Sequence, residues 1–158
     1  MFAFVFFMLI IKSMKKEAKK YRVVIAEGVF SGVATLVGSV QAGFPSPAEE
    51  YIQEPLDLNR YCVKNPPATF FVRAAGDSMT GAGIHCGDLL VVDRSIRARD
   101  NDVVIAVVDG EFTLKRLTFR QGRPVLVPEN PAFRPIEISE ATEFEVWGKV
   151  VKVIHELE

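Results

Sequence analysis

Hydrophobic and polar positions divide the chain into segments of different character. Residues 1–11 (MFAFVFFMLII) are apolar without a break. Residues 23–42 hold short apolar pieces interrupted by Gly28, Gly32 and Gly38 and filled with Ser31, Ala34, Ser39 and Ala42. Such a stretch is a poor helix and packs little of its own, so it reads as an arm. Gly43-Phe44-Pro45-Ser46-Pro47 is turn-rich punctuation. Residues 47–52 carry proline and acids where the first turn of a short helix takes them, and Pro55 limits that helix. Leu56-Asp57-Leu58-Asn59 leads to a second breaker, Asn65-Pro66-Pro67.

From Ala68 the pattern becomes that of strands. Residues 69–73 (TFFVR), 88–93 (DLLVVD) and 103–108 (VVIAVV) are β-rich runs. Asp109-Gly110 separates the last of these from residues 111–119, the strongest short hairpin signal. Residues 125–127 (VLV) end at Pro128-Glu129-Asn130-Pro131, and residues 143–154 (EFEVWGKVVKVI) supply the last one or two strands. Gly148 marks a bend or bulge inside that run. No long amphipathic helix follows residue 60, and no repeat of fixed period is present. The expected fold is a mainly β domain built of hairpins.

Composition sharpens this. The 158 residues are 49% apolar, which suits one compact domain plus a tail and excludes a wholly disordered chain. A formal charge of −1 excludes a protein that grips nucleic acid through its overall field. The balance is uneven: Lys12, Lys15, Lys16, Lys19, Lys20 and Arg22 face only Glu17, a local +5 against −6 over the rest. That basic stretch reads as a solvated charged segment, with a nucleic-acid contact as the alternative. The opening apolar run is shorter than the ~20 residues of a membrane-spanning helix, and its positive charge follows rather than precedes it, unlike a secretory signal. Residues 1–13 are therefore read as a lead from a start codon placed too early, with translation beginning at Met14; the alternative is a genuine short anchor or signal. A cytoplasmic protein without membrane attachment is expected. Cys62 and Cys86 form no CxxC pair and are expected as reduced thiols. His85 and His155 are too few for a metal site without carboxylate help and are read as surface or turn residues. Neither a metal nor a cofactor is predicted.

Two places carry candidate chemistry. In Gly76-Asp77-Ser78-Met79, a serine stands just after a strand, with Gly81, Gly83 and Gly87 following. Its hydroxyl would be exposed beside backbone N–H groups able to hold an oxyanion. The plainer reading is a turn serine. Lys115 shares a strand face with Thr113, Leu117 and Phe119 by alternation. Burial on that partly apolar face favours the neutral amine, which accepts a serine proton. The plainer reading is a strand lysine that snorkels to water.

Taken together, Gly76-Asp77-Ser78-Met79, Gly87-Asp88-Leu89-Leu90-Val91-Val92-Asp93 and Asp109-Gly110-Glu111-Phe112-Thr113-Leu114-Lys115-Arg116-Leu117 resemble the self-cleaving serine protease domain of the LexA/UmuD family, and UmuD more closely than LexA. The 37-residue spacing of Ser78 and Lys115 fits. So does Ala42-Gly43 standing before Phe44-Pro45-Ser46-Pro47-Ala48, since Ala-Gly or Cys-Gly is the family's cleavage bond. The resemblance covers about residues 41–155 with the motifs in the same order. It implies Ser78 as nucleophile, Lys115 as general base and then acid, and Ala42–Gly43 as the scissile bond of the protein's own arm. It implies residues 14–42 as a mobile arm removed on cleavage and residues 43–158 as a protease-like and dimerising body. A RecA filament on single-stranded DNA would promote docking of the arm. The shortened homodimer would join a UmuC-type polymerase in damage-tolerant synthesis.

The chain departs from the repressor branch of that family. Only 42 residues precede the proposed bond, and residues 23–42 offer no helix pair to read DNA. Sequence-specific DNA binding is therefore not expected; the repressor alternative is a LexA-type chain without its DNA-reading domain. The rival enzyme is a type I signal peptidase-like protease, which has a similar fold and a Ser-Lys pair and would use the apolar run as an anchor. The non-enzymatic rival is a β-rich interaction subunit with Ser78 and Lys115 as relics.

Overall fold

The computed structural model describes residues 53–157 and, upstream of them, two strand segments. The apolar lead, the basic stretch, residues 47–52 and Ala42–Gly43 lie outside the described residues. In chain order the strands are β1 (Val23–Val24), β2 (Ala34–Val37), β3 (Gln53–Leu56), β4 (Thr69–Arg73), β5 (Leu89–Asp93), β6 (Val103–Val108), β7 (Glu111–Arg120), β8 (Arg123–Val127), β9 (Ile136–Glu137) and β10 (Phe144–Ile154). Eight of them form one sheet in the order β1-β4-β5-β10-β6-β7-β8-β9, and β2 and β3 form a separate pair. Every pairing is antiparallel. The mainly β architecture expected from the sequence is present.

Two hairpins set the centre of the sheet. Asp109 (φ +49°) and Gly110 (φ +83°) turn β6 into β7. Gln121 (φ +51°) and Gly122 (φ +79°) turn β7 into β8. Two successive left-handed residues match the twist of the flanking strands. The first turn is the expected Asp-Gly. The second uses glutamine, which rarely adopts positive φ and so gives no comparable signal. Its strand β8 also begins earlier than the run at 125–127. Pro124 lies inside it, and proline in a run weakens a strand reading.

The long strand β10 joins the two halves. Residues 144–149 pair with β6, and residues 149–154 pair with β5. The register against β6 shifts between Val146 and Gly148, at the bend expected there. Strand alternation points the neighbours Val146 and Trp147 into different cores. Trp147 packs with Val72, Met79, Leu90, Val92 and Ile105. Val146 packs against Val104, Ala106, Leu117 and Leu126. Gly148 leaves room for this crossing, since a Cβ there would stand 2.6 Å from Val92 Cγ1. Arg94 then secures the bulge: its Nε donates to the Trp147 carbonyl at 3.0 Å, and its guanidinium lies 4.9 Å from the indole.

The upstream segments differ from the expectation at one point. Pro55, expected to limit a helix, sits in β3 opposite Thr35. Proline is acceptable in a two-stranded pair, where not every N–H needs a ladder partner. A short helix, α1 (Leu58–Cys62), follows where the sequence suggested only a connection. Asp57 caps it by accepting the Arg60 N–H at 3.2 Å.

Candidate active site

Ser78 lies on the loop between β4 and β5. The ladder continues past β4 for one more exchange: Ala74 N–H donates to Asp88 O at 2.8 Å, and Gly87 N–H donates to Ala74 O at 2.9 Å. Beyond Ala74 the chain leaves the sheet, and Gly76 takes φ +82°, a conformation that favours glycine. Met79, 2% exposed, plugs into the core and pins the residue before it. Ser78 is thus held half-buried at the mouth of a cleft. The 3-10 turn Thr80–Ala82 follows directly.

Lys115 approaches from the middle of β7. It is 8% exposed, and its Nζ stands 2.8 Å from Ser78 Oγ and 2.9 Å from the Leu114 carbonyl. No described carboxylate pairs with it. Burial lowers its pKa from the ordinary 10.5, because an ammonium loses hydration there without gaining an anion. Leu117 on the same face is buried, whereas Phe119, which alternation also puts there, is about half exposed. The apolar side of β7 therefore ends one turn of the pleat after Lys115. Once neutral, the amine can accept from Oγ–H across the same 2.8 Å contact.

The serine and lysine open into a cavity of about 300 Å³. Its wall is apolar, from Val72, Leu90, Ile105, Phe112 and Trp147, with the exposed Phe133 at its edge. Such a groove suits small and apolar side chains of an extended peptide.

A second loop holds the serine from behind, and the sequence reading missed it. Glu129 N–H donates to Ser78 O at 2.8 Å, and Gly81 N–H donates to Glu129 O at 2.7 Å. Asn130 Nδ2 donates to Asp77 O at 2.8 Å. Gly81 has no Cβ to collide with the Glu129 carbonyl. The Glu129 carboxylate also pairs with the Arg116 guanidinium, the residue beside Lys115. Arg116 and Glu129 therefore connect the strand bearing the amine to the loop bearing the hydroxyl. The signal was the proline-flanked Glu129-Asn130, read only as a strand terminator. Glu129→Ala is expected to slow any Ser78-dependent cleavage about 10- to 100-fold by letting the two groups drift. The pH midpoint of the rate should stay where it was, since Lys115 keeps its surroundings. Cleavage rates across pH, followed by intact mass, check this; an unchanged rate refutes the strut.

Residues 35–151 match the family model described as Peptidase S24-like. The chain is 52% identical over 114 residues to Protein SamA of Salmonella typhimurium, covering 72% of this chain and 79% of that protein. It is 51% identical over 117 residues to Protein ImpA of Escherichia coli, covering 73% and 78%. It is 38% identical over 148 residues to LexA repressor 1 of Geobacter sulfurreducens, covering 92% and 73%. The sheet, the groove and these matches lead to one conclusion: the chain belongs to the Peptidase S24-like family, the LexA/UmuD family of self-cleaving serine proteases.

Proposed function

We propose that the protein is a UmuD-like factor of SOS mutagenesis that cleaves its own chain between Ala42 and Gly43. Ser78 Oγ attacks the Ala42 carbonyl carbon and passes its proton to neutral Lys115 Nζ. Lys115 returns that proton to the Gly43 amine as the peptide bond breaks. Water then hydrolyses the Ala42 ester on Ser78. Backbone N–H groups around Ser78 hold the oxyanion. The observation that carries this reading is a buried amine, unpaired with any described carboxylate, 2.8 Å from a serine hydroxyl at an apolar groove. The small Ala42 and Gly43 suit entry of an extended strand into that groove. The family match favours this reading over a signal peptidase.

In the same reading, residues 14–42 are the arm that is lost and residues 43–158 the body that dimerises. A RecA filament on single-stranded DNA stabilises the docked arm, and the cleaved dimer joins a UmuC-type polymerase. The arm need not dock all the time, which leaves cleavage open to control. Purified protein incubated with an activated RecA filament should lose its arm and expose Gly43 as a new N-terminus. N-terminal sequencing reads this directly. A chain that stays intact with the filament and at alkaline pH defeats the proposal.

A further inference from the structure

Away from the Ser78–Lys115 cleft, two imidazoles converge on one buried carboxylate. Asp88 closes the turn that begins at His85, whose N–H donates to Asp88 Oδ2 at 2.8 Å. His155 directly follows β10 and comes from 67 residues further along the chain; its Nδ1 lies 2.7 Å from Asp88 Oδ1. The His85 Nδ1 lies 3.9 Å from Oδ2. The two rings are 5.2 Å apart between centroids. One donor atom from each of the three residues lies within 4.8 Å of the other two. The sequence reading gave both histidines no role because it saw no carboxylate to join them.

Two imidazoles and a carboxylate are a donor set for a borderline divalent ion such as Zn²⁺, with water completing the tetrahedron. Zn–ligand bonds of about 2.0–2.2 Å place tetrahedral donors roughly 3.3–3.6 Å apart. His155 Nδ1 and Asp88 Oδ1 must therefore part from their 2.7 Å hydrogen bond, while the His85 nitrogen, 3.9 Å from Oδ2, closes in. The side chains that have to turn are free to do so, since the imidazoles are 51% and 47% exposed. The anchor is fixed, with the Asp88 side chain 3% exposed and one oxygen already held by the His85 N–H. A ligand steadied by a backbone donor is the usual support behind a metal site.

We propose that His85, Asp88 and His155 form a Zn²⁺-type site that ties the chain beyond β10 to the closing end of the loop carrying Ser78. The position gives the ion a structural consequence. Asp88 O and Gly87 N–H bond Ala74 at the other end of that loop, and Arg73 donates to Gly87 O at 2.8 Å. An ion at this point holds both ends of the nucleophile loop and the last strand together.

The test is a Zn²⁺ titration of the untagged full chain carrying Ser78→Ala, which stays whole. Calorimetry should show one Zn²⁺ per chain bound. Zn²⁺ at about 100-fold over Kd should raise Tm by roughly 5–10 °C. Mg²⁺, which prefers oxygen donors, should leave Tm unchanged. His85→Gln and His155→Gln should each weaken Zn²⁺ binding at least ~10-fold. Their melting without metal is measured first, to show that each variant folds. Cys86→Ser, altering the exposed thiol beside His85, should bind as before. Absence of a Zn²⁺ shift overturns the proposal, as does undiminished binding by either histidine variant or a loss confined to Cys86→Ser.

Discussion

Lys115→Ala is expected to leave the protein uncut where the parent chain splits, and Ser78→Ala is expected to do the same. A serine hydroxyl is a weak nucleophile without a base, and a positioned base contributes about 10²- to 10⁴-fold. Here the amine is the only basic group placed against Oγ among the described residues. Arg116 is the next residue, yet it cannot take over: its guanidinium is committed to Glu129 and the Asn101 carbonyl. Ser78→Ala goes further, because no acyl bond can form. Lys115→Met is the companion variant, since it keeps an apolar stem in the buried site and loses only the amine. Intact mass against time reads cleavage, and circular dichroism confirms the fold. If Lys115→Met cuts within ~10-fold of the parent rate, the lysine is not the base.

The second large effect is on pH. Cleavage should accelerate about tenfold per pH unit while Lys115 remains mostly protonated, then level off once the amine is neutral. Burial lowers the folded-state pKa below 10.5, so the levelling comes earlier than for a solvated lysine. The same shift affects stability with a definite sign. Between the depressed folded pKa and 10.5 the unfolded chain binds more protons than the native one, so stability rises with pH across that window. Below the folded pKa both states hold the proton, and the full cost of a buried ammonium remains. Lys115→Met should therefore melt higher than the parent at neutral pH, with the gap narrowing toward pH 10.5. A flat cleavage profile, or a gap that widens with pH, contradicts a burial-depressed base. The prediction pairs inactivity with greater stability, the trade expected where a site holds a charge in unfavourable surroundings.

The strands were legible because their runs are short, apolar and punctuated. The sequence reading placed strands at 69–73 and 103–108, which match β4 and β6. It began the next strand at Asp88, which instead caps the preceding turn with its carboxylate. Asp109-Gly110 marked its turn because both residues tolerate left-handed angles. Gln121-Gly122 did not, since only the tertiary pull of β7 against β8 holds glutamine there. The β2–β3 pair escaped for a similar reason. Its residues alternate with no clear apolar face, and Pro55 argued against a strand.

Ser78 and Lys115 could be named from motif and spacing, but their meeting could not be read from periodicity. Alternation says which face of β7 carries Lys115. It does not say what covers that face. The loop from β4 to β5 folds over it because Met79 seeks the core and Glu129 holds the Ser78 carbonyl. Glu129 and Asn130 showed only as a proline-flanked turn, since the residues they hold, Ser78 and Asp77, lie far away in sequence.

By itself the sequence determined the family, the mainly β class and the residue types able to do acyl transfer. These reside in local propensity, turn chemistry and ordered motifs, which survive without knowledge of distant neighbours. Only the tertiary structure decided the environment of each group. It buried the amine of Lys115 with no carboxylate partner among the described residues and set it 2.8 Å from Ser78. It also brought His85 and His155 to one carboxylate. Desolvation and convergence both depend on which segments pack together. That packing follows the antiparallel register of β10 between β5 and β6, which no single window of sequence contains.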